Sequence, residues 1–142
     1  MSTPSQTVGP FFALGMPGRD AAADGVWLRG QVFDGAGDAV PDALIESWQA
    51  DPPAFGRCAT DPAGRWALRV PPPDRYVNLS VFARGLLNRV VTRLYLPDAP
   101  LDGVLAGIEP ARRGTLVAKA TEDGYELDIH LQGPHETVFF AV

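Results

Sequence analysis

The sequence predicts an all-β protein: a β-sandwich of about eight short strands with an extended N-terminal arm. Its 142 residues, of which 46% are hydrophobic and 20% charged, suit one domain with its own core. The 14 prolines and 15 glycines are spread along the chain, which favours frequent turns over long helices. Short segments alternate between apolar and polar residues, which is typical of strands with one buried face. Together these observations favour a sandwich.

The chain divides into two predicted parts. Residues 1–25 are predicted to be an N-terminal arm and a linker, and residues 26–142 the β-sandwich. Within the first part, residues 18–25 form the linker-like stretch, which consists of small and polar residues. No internal repeat and no further domain boundary are expected in the second part.

The N-terminal arm is the least regular part of the sequence. Pro4, Gly9 and Pro10 restrict or permit particular backbone angles, which favours a defined extended path over a helix. The arm leads into Phe11 and Phe12, two aromatic side chains that need burial. It is therefore predicted to reach a surface beyond itself, and the alternative is a frayed chain end.

The first half of the sandwich is predicted to hold four strands. Turn-forming residues at 34–38 end the first strand, and prolines at 52 and 53 end the second, because proline cannot donate to a strand ladder. The turn at residues 61–64 predicts a hairpin between the third and fourth strands. The four predicted strands are residues 26–32, 44–49, 58–60 and 66–70.

The second half begins with two predicted central strands that pair with each other. Both are rich in β-branched residues, which pack well on a pleated surface. Residues 97–113 are irregular and leave room for a short helical turn. The two central strands are residues 77–82 and 89–95, and later strand-like segments are residues 115–118, 125–131 and 137–142.

The composition excludes several classes of partner. A formal net charge of -5 at pH 7 argues against binding nucleic-acid phosphates, which requires clustered lysine and arginine. A single cysteine cannot form an internal disulfide. The first residues lack a secretory signal pattern, and no apolar run approaches the roughly 20 residues of a membrane span. We expect a cytoplasmic protein with no nucleic-acid or membrane partner.

The residue inventory contains no identifiable catalytic set. A metal site needs three or four converging ligands, yet the chain has only two histidines and one cysteine. His130 lies opposite an apolar stripe and His135 lies in a turn, so both are predicted to face solvent. Cys58 has no neighbouring base to activate its thiol, so core packing is its favoured role. We expect no catalytic residue and no metal ligand within this chain.

Several segments of the sequence resemble the intradiol ring-cleavage dioxygenases in both order and spacing. The resemblance covers nearly the whole chain. The opening residues 3–10 and the closing residues 132–140 resemble the alpha-type subunits of that family in particular. The internal segments that carry the resemblance are residues 30–34, 46–51, 55–57, 61–66, 78–85 and 92–95.

The resemblance implies a β-sandwich and a ferric ion held by two tyrosines and two histidines of a beta-type subunit. Where that subunit has a His-x-His pair, this chain has Tyr76-Val77-Asn78. The loops that would bear the two tyrosines are reduced to residues 52–54 and 70–74. Fe(III) is therefore expected on a partner beta-type subunit and not on this chain, and Tyr76 is expected to serve packing.

The resemblance also implies that an alpha-type chain forms part of its partner's substrate pocket. The residues that would line this pocket are Thr7, Gly9, Pro10, Phe11 and Arg84. Glycine and proline let the backbone approach a flat aromatic ring, and an arginine offers a charged fork to a substrate carboxylate. The alternative for Arg84 is a turn residue in solvent.

The function that the resemblance implies is intradiol cleavage of 3,4-dihydroxybenzoate by O2 to 3-carboxy-cis,cis-muconate, in a hetero-oligomer with a beta-type subunit. One alternative is a binding or structural sandwich that kept the core and lost the enzyme, motivated by the shortened loops. A second alternative is an independent dioxygenase with relocated ligands. It would require His130, His135, Tyr76 and Tyr125 to converge, which their strand placements disfavour.

Overall fold

A computed structural model of the chain, which describes Pro4, Gly9 and residues 18–141, contains two β-sheets packed as a sandwich. The predicted all-β class is confirmed. The strands are β1 (Val26–Phe33), β2 (Leu44–Ala50), β3 (Pro53–Ala59), β4 (Arg65–Val70), β5 (Tyr76–Phe82), β6 (Val90–Tyr95), β7 (Lys119–Ala120), β8 (Gly124–Glu126) and β9 (Ile129–His130). Two one-turn helices, α1 (Gly103–Ala106) and α2 (Pro110–Arg113), and a 3₁₀ turn (Gly114–Leu116) lie between β6 and β7.

The strands are divided between a five-stranded and a four-stranded sheet. The first has the order β4-β1-β8-β7, with β9 also paired to β1, and the second has the order β3-β2-β5-β6. In the second sheet all pairs are antiparallel, and the register places Trp48 opposite Asn78 and Asn78 opposite Arg93. That register brings the side chains of β2, β5 and β6 onto one outer face, as the two-residue repeat of a strand requires.

The core lies between the sheets and comes from alternate residues of the strands. Leu28 of β1, Ile45 of β2, Leu68 of β4 and Leu79 of β5 are all at most 1% exposed. Burying each such side chain contributes about 2 kcal/mol. A smaller cluster under the helical segment contains Tyr95, Leu105 and Leu116.

The predicted hairpin between the third and fourth strands is wrong. The turn itself is present, since Gly64 donates to the Asp61 carbonyl at 2.8 Å and has a φ of +75°. It connects β3 in one sheet to β4 in the other, because β3 pairs with β2 and β4 pairs with β1. The hairpin partner of β3 is β2, across a connection at residues 51–52 where only a loop was predicted.

The C-terminal half also differs from its prediction. The helical turn expected within residues 97–113 is confirmed by α1 and α2, and β5 and β6 pair as predicted. However, β6 is an edge strand rather than a central one. Residues 115–118 begin in the 3₁₀ turn, and residues 137–141 form no strand. Single bridges from Val117 and Phe140 instead cover the edge of β6, which limits unwanted pairing with other chains.

The linker-like residues before β1 hydrogen-bond to both sheets. Arg19 exchanges two backbone hydrogen bonds of 2.7 Å with Arg57 of β3. Asp20 accepts a hydrogen bond from the Arg69 amide at 3.0 Å, and Ala21 donates to the Arg69 carbonyl of β4 at 2.9 Å. This segment therefore connects the edges of the two sheets. Among the described residues, no helix is long and apolar enough to cross a membrane.

Candidate functional site

Arg84, the one predicted pocket residue on the sandwich, lies at the corner of a tight turn after β5. The turn closes through a hydrogen bond of 3.2 Å from the Leu86 amide to the Ala83 carbonyl. Gly85 follows with a φ of +86°, the left-handed conformation that the third position of a type II turn requires. This geometry directs the Arg84 side chain outward, where it is 60% exposed.

The Arg84 guanidinium is anchored along one edge. Its Nε lies 3.1 Å from Oδ2 of Asp42, whose side chain is only 14% exposed. The sequence analysis missed Asp42, because a single carboxylate in the loop before β2 carries no periodic or motif signal. Arg84 is thus not a free surface residue but a partly fixed cation.

The other four predicted pocket residues belong to the N-terminal arm. Thr7, Pro10 and Phe11 lie outside the described residues. Gly9 is exposed, and apart from its chain neighbours no atom of the described residues lies within 4 Å of the position that a Cβ on Gly9 would take. Among the described residues, the structure therefore brings no predicted pocket residue into contact with Arg84.

Arg93 occupies the outer face of β5 and β6 where the resemblance would place metal ligands. Its guanidinium lies 4.0 Å from the centre of the Tyr76 ring. Its Nε donates to Oδ1 of Asn78 at 3.2 Å, and its Nη1 donates to the Tyr95 hydroxyl at 3.0 Å. Tyr95 in turn donates to Oδ2 of Asp102 at 3.0 Å. A permanent cation therefore contacts both Tyr76 and Asn78.

The protonation states in this network do not suit a ferric ion. Burial raises the pKa of the Tyr95 phenol, so this group stays neutral and acts as a donor. The amide hydrogen bond from Leu105 lowers the pKa of Asp102, which also caps α1. Asn78 supplies only a neutral amide, and the Arg93 charge would repel any cation placed beside it. The residues present do not fit iron. The sequence analysis missed Arg93, because its position opposite Asn78 follows only from the register of β5 and β6.

The two histidines come close together, but on the sheet opposite to that of Tyr76. His130 is partly buried and stacks on Phe33 with ring centres 5.0 Å apart, so its predicted solvent-facing position is only partly right. The exposed His135 ring lies edge-on to it at 6.1 Å. Tyr76 lies on β5 of the opposite sheet. Within the part of the chain that is described, no group of three or more histidine, cysteine, aspartate or glutamate side chains could hold a metal.

Cys58 packs against the core, as predicted. Burial raises the pKa of its thiol to about 12. The thiolate is the nucleophilic form of cysteine, and at neutral pH it is essentially absent here. This burial gives no support to a catalytic role for Cys58.

Comparison with known proteins extends over nearly the whole chain. The protocatechuate 3,4-dioxygenase alpha chain of Pseudomonas putida is 35% identical, covering 97% of this chain and 95% of that one. The alpha chain of the same enzyme from Burkholderia cepacia is 37% identical, covering 99% and 97%. Both alignments run over 191 positions, so these relatives carry segments that the 142-residue chain lacks. The Burkholderia cepacia beta chain is 29% identical, covering 78% and 65%.

Solved structures give the same architecture. The dioxygenase domain of a carbohydrate-binding fusion protein from Streptomyces sp. SirexAA-E has a TM-score of 0.58 at 27% identity, covering 92% of this chain and 98% of that one. Hydroxyquinol 1,2-dioxygenase from Pseudomonas putida DLL-E4 has a TM-score of 0.57 at 22% identity, covering 90% and 65%, and shows the shared fold. No protein-family model matches the chain. The chain belongs to the intradiol ring-cleavage dioxygenases, as an alpha-type subunit.

Proposed function

We propose that this chain completes the substrate pocket of an Fe(III)-bearing beta-type subunit, and that the assembled enzyme converts 3,4-dihydroxybenzoate and O2 to 3-carboxy-cis,cis-muconate. The observation that carries the proposal is the near full-length similarity to two protocatechuate 3,4-dioxygenase alpha chains. In this reaction the bond between the two hydroxyl-bearing carbons breaks and both oxygen atoms of O2 enter the product, so no external reductant is needed.

The contacts of Arg93 with Tyr76, Asn78 and Tyr95 support the proposal that iron is bound by the partner subunit. The face of β5 that would have to bind iron is already occupied by a guanidinium and a neutral phenol. The described residues of this face offer no set of anionic donors, which supports the proposal that the partner holds the metal. This chain contributes binding surface.

Arg84 is the residue of the sandwich that we assign to substrate binding. A guanidinium can form two parallel hydrogen bonds with a carboxylate, and 3,4-dihydroxybenzoate carries one opposite its reacting carbons. Arg84 is 60% exposed, and the contact that holds it among the described residues is made by its Nε. Its terminal nitrogens can therefore meet a carboxylate presented by a neighbouring subunit.

We assign the pocket wall beside Arg84 to Thr7, Gly9, Pro10 and Phe11 of the arm. The open space around Gly9 in this chain is compatible with a segment that packs against another subunit. A cytoplasmic hetero-oligomer is part of the proposal, and the free Cys58 suits a reducing compartment.

The proposal is tested by substituting pocket residues in the complex co-expressed with a beta-type subunit. Arg84→Ala should raise KM for 3,4-dihydroxybenzoate by about tenfold or more, the range expected for a charge-assisted hydrogen bond. Gly9→Trp should block ring access and lower kcat/KM. Arg65→Ala, an exposed arginine on the other sheet, is the matched control. Unchanged kinetics in both pocket variants would refute the pocket assignment.

A second candidate function is a non-catalytic binding or structural module derived from the family. The segments present in the relatives and absent here favour it. This alternative expects no association with a metal-bearing homologue in co-expression and gel filtration. A stable mixed oligomer would count against it.

A further inference from the structure

The loop before β2 places a carboxylate beneath the Arg84 turn. Asp42 is 14% exposed, whereas Arg84 is 60% exposed, so the pair joins a mostly buried anion to a mostly exposed cation. The contact of 3.1 Å involves Nε, the nitrogen nearest the arginine stem. The two terminal nitrogens have no partner among the described residues, which leaves the carboxylate-binding fork of the guanidinium open.

Asp42 is itself held in place by a buried threonine. The Thr60 hydroxyl donates to the Val40 carbonyl at 2.8 Å and accepts from the Ala43 amide at 3.0 Å. The Thr60 amide also donates to the Ala43 carbonyl at 2.9 Å. These bonds fix the backbone on both sides of Asp42 from the end of β3, which restricts where its carboxylate can lie.

The burial of Asp42 is not explained by a satisfied local network. Its Oδ1 is buried and has no hydrogen-bond partner in the described part of the chain. Burying a carboxylate is unfavourable unless it is paired, and among the described residues Arg84 is its ion-pair partner. An anion held in this way restrains a long arginine side chain that would otherwise sample many rotamers.

We propose that Asp42 is the positioning residue for Arg84, holding its guanidinium by the Nε edge so that the terminal fork faces the substrate carboxylate. This inference rests on the proposed function, because it assigns a partner to the substrate-binding arginine of that function. The restraint of Arg84 by Asp42 also contributes to substrate specificity, because it favours a carboxylated catechol over one without a carboxylate.

Kinetics of the assembled complex test the inference with two substrates, 3,4-dihydroxybenzoate and unsubstituted catechol. Asp42→Asn keeps the shape of the side chain and removes its charge. We expect it to raise KM for the acid about three- to fivefold, the range of a partly exposed ion pair, with kcat and the KM for catechol unchanged. If Asp42 were only a counter-charge, its removal would strengthen attraction for the acid and lower KM. An unchanged or lowered KM overturns the inference.

Arg84→Lys provides a second variant that leaves Asp42 and its loop intact. The lysine keeps the charge but has a single head group and cannot hold Asp42 and present a fork at the same time. We expect its KM for the acid to rise nearly as far as in Arg84→Ala. A wild-type KM in Arg84→Lys would show that charge alone suffices and would overturn positioning even if Asp42→Asn failed to fold.

The double variant Asp42→Asn/Arg84→Ala separates this inference from the proposed function. If the two residues act together, Asp42→Asn adds no further increase in KM once Arg84 is absent. A further increase would overturn the inference. If Arg84→Ala itself has no effect, the proposed function fails as well. If Arg84→Ala raises KM while Asp42→Asn does not, only the role of Asp42 fails.

Discussion

Thr60→Val is the substitution whose effect follows most directly from the structure. Valine has nearly the same shape as threonine but cannot donate to the Val40 carbonyl or accept from the Ala43 amide. Thr60 is 8% exposed, so water cannot readily replace either bond. Leaving one buried donor and one buried acceptor unpaired costs about 1–3 kcal/mol each, hence about 2–6 kcal/mol of unfolding free energy. That is a large part of the roughly 5–15 kcal/mol of unfolding free energy that is typical of a domain.

The assay is equilibrium unfolding of the full chain in urea, with the unfolding free energy obtained by linear extrapolation at a constant m-value. Thr60→Ser is the matched control, because it keeps the hydroxyl and loses one methyl group, which costs about 1 kcal/mol or less. A loss of less than about 0.5 kcal/mol in Thr60→Val would refute the reasoning. It would show that the loop carrying Asp42 does not depend on Thr60.

Two further substitutions test the packing and the protonation of the sandwich. Gly30→Ala should destabilise the fold by about 3 kcal/mol in the same urea assay, because a Cβ there would collide with the Leu127 carbonyl. Gly103→Ala is the control: its Cβ meets open space at the start of α1, so it should leave stability unchanged or raise it by up to about 1 kcal/mol. Equal effects would contradict the close approach at Gly30. Cys58 should resist thiol reagents at pH 8 in the native chain and react in urea, because burial raises its pKa to about 12. The thiol pKa is raised in the folded state, so between about pH 9 and 12 the thiol ionises in the unfolded chain but not in the folded one. Ionisation therefore favours unfolding, and the stability of the wild type should fall faster than that of Cys58→Ala as the pH rises from 9 towards 12. Parallel pH dependence would contradict the burial of this thiol.

The sequence predicted the strands better than their partners. Alternation of apolar and polar residues with a period of two identifies a half-buried strand, but the pattern is the same for a strand of either sheet. Residues 58–60 and 66–70 could therefore be located and still be paired wrongly. The turn at Gly64 has the same residue signal whether it closes a hairpin or crosses between sheets. Partner choice depends on contacts between distant segments, which local pattern does not encode.

The site shows the same limit at the level of single side chains. Arg84 was found through the resemblance, and its turn was marked by the following Gly85. Asp42 was not found, because its partner lies 42 positions further along the chain and only the folded loop brings them together. Arg93 was missed although its position opposite Asn78 follows from the register of β5 and β6. Charge pairing across strands becomes visible only once that register is known.

The most direct test of the subunit assignment is co-expression of this chain, carrying an affinity tag, with a beta-type intradiol subunit. The purified material is analysed for chain composition, iron and cleavage of 3,4-dihydroxybenzoate. We expect the beta-type subunit to co-purify, iron to depend on its presence, and the complex to consume O2 with the acid. The assignment would be contradicted if the tagged chain purified without the beta-type subunit while that subunit was active by itself. Near-stoichiometric iron on this chain by itself would also contradict it.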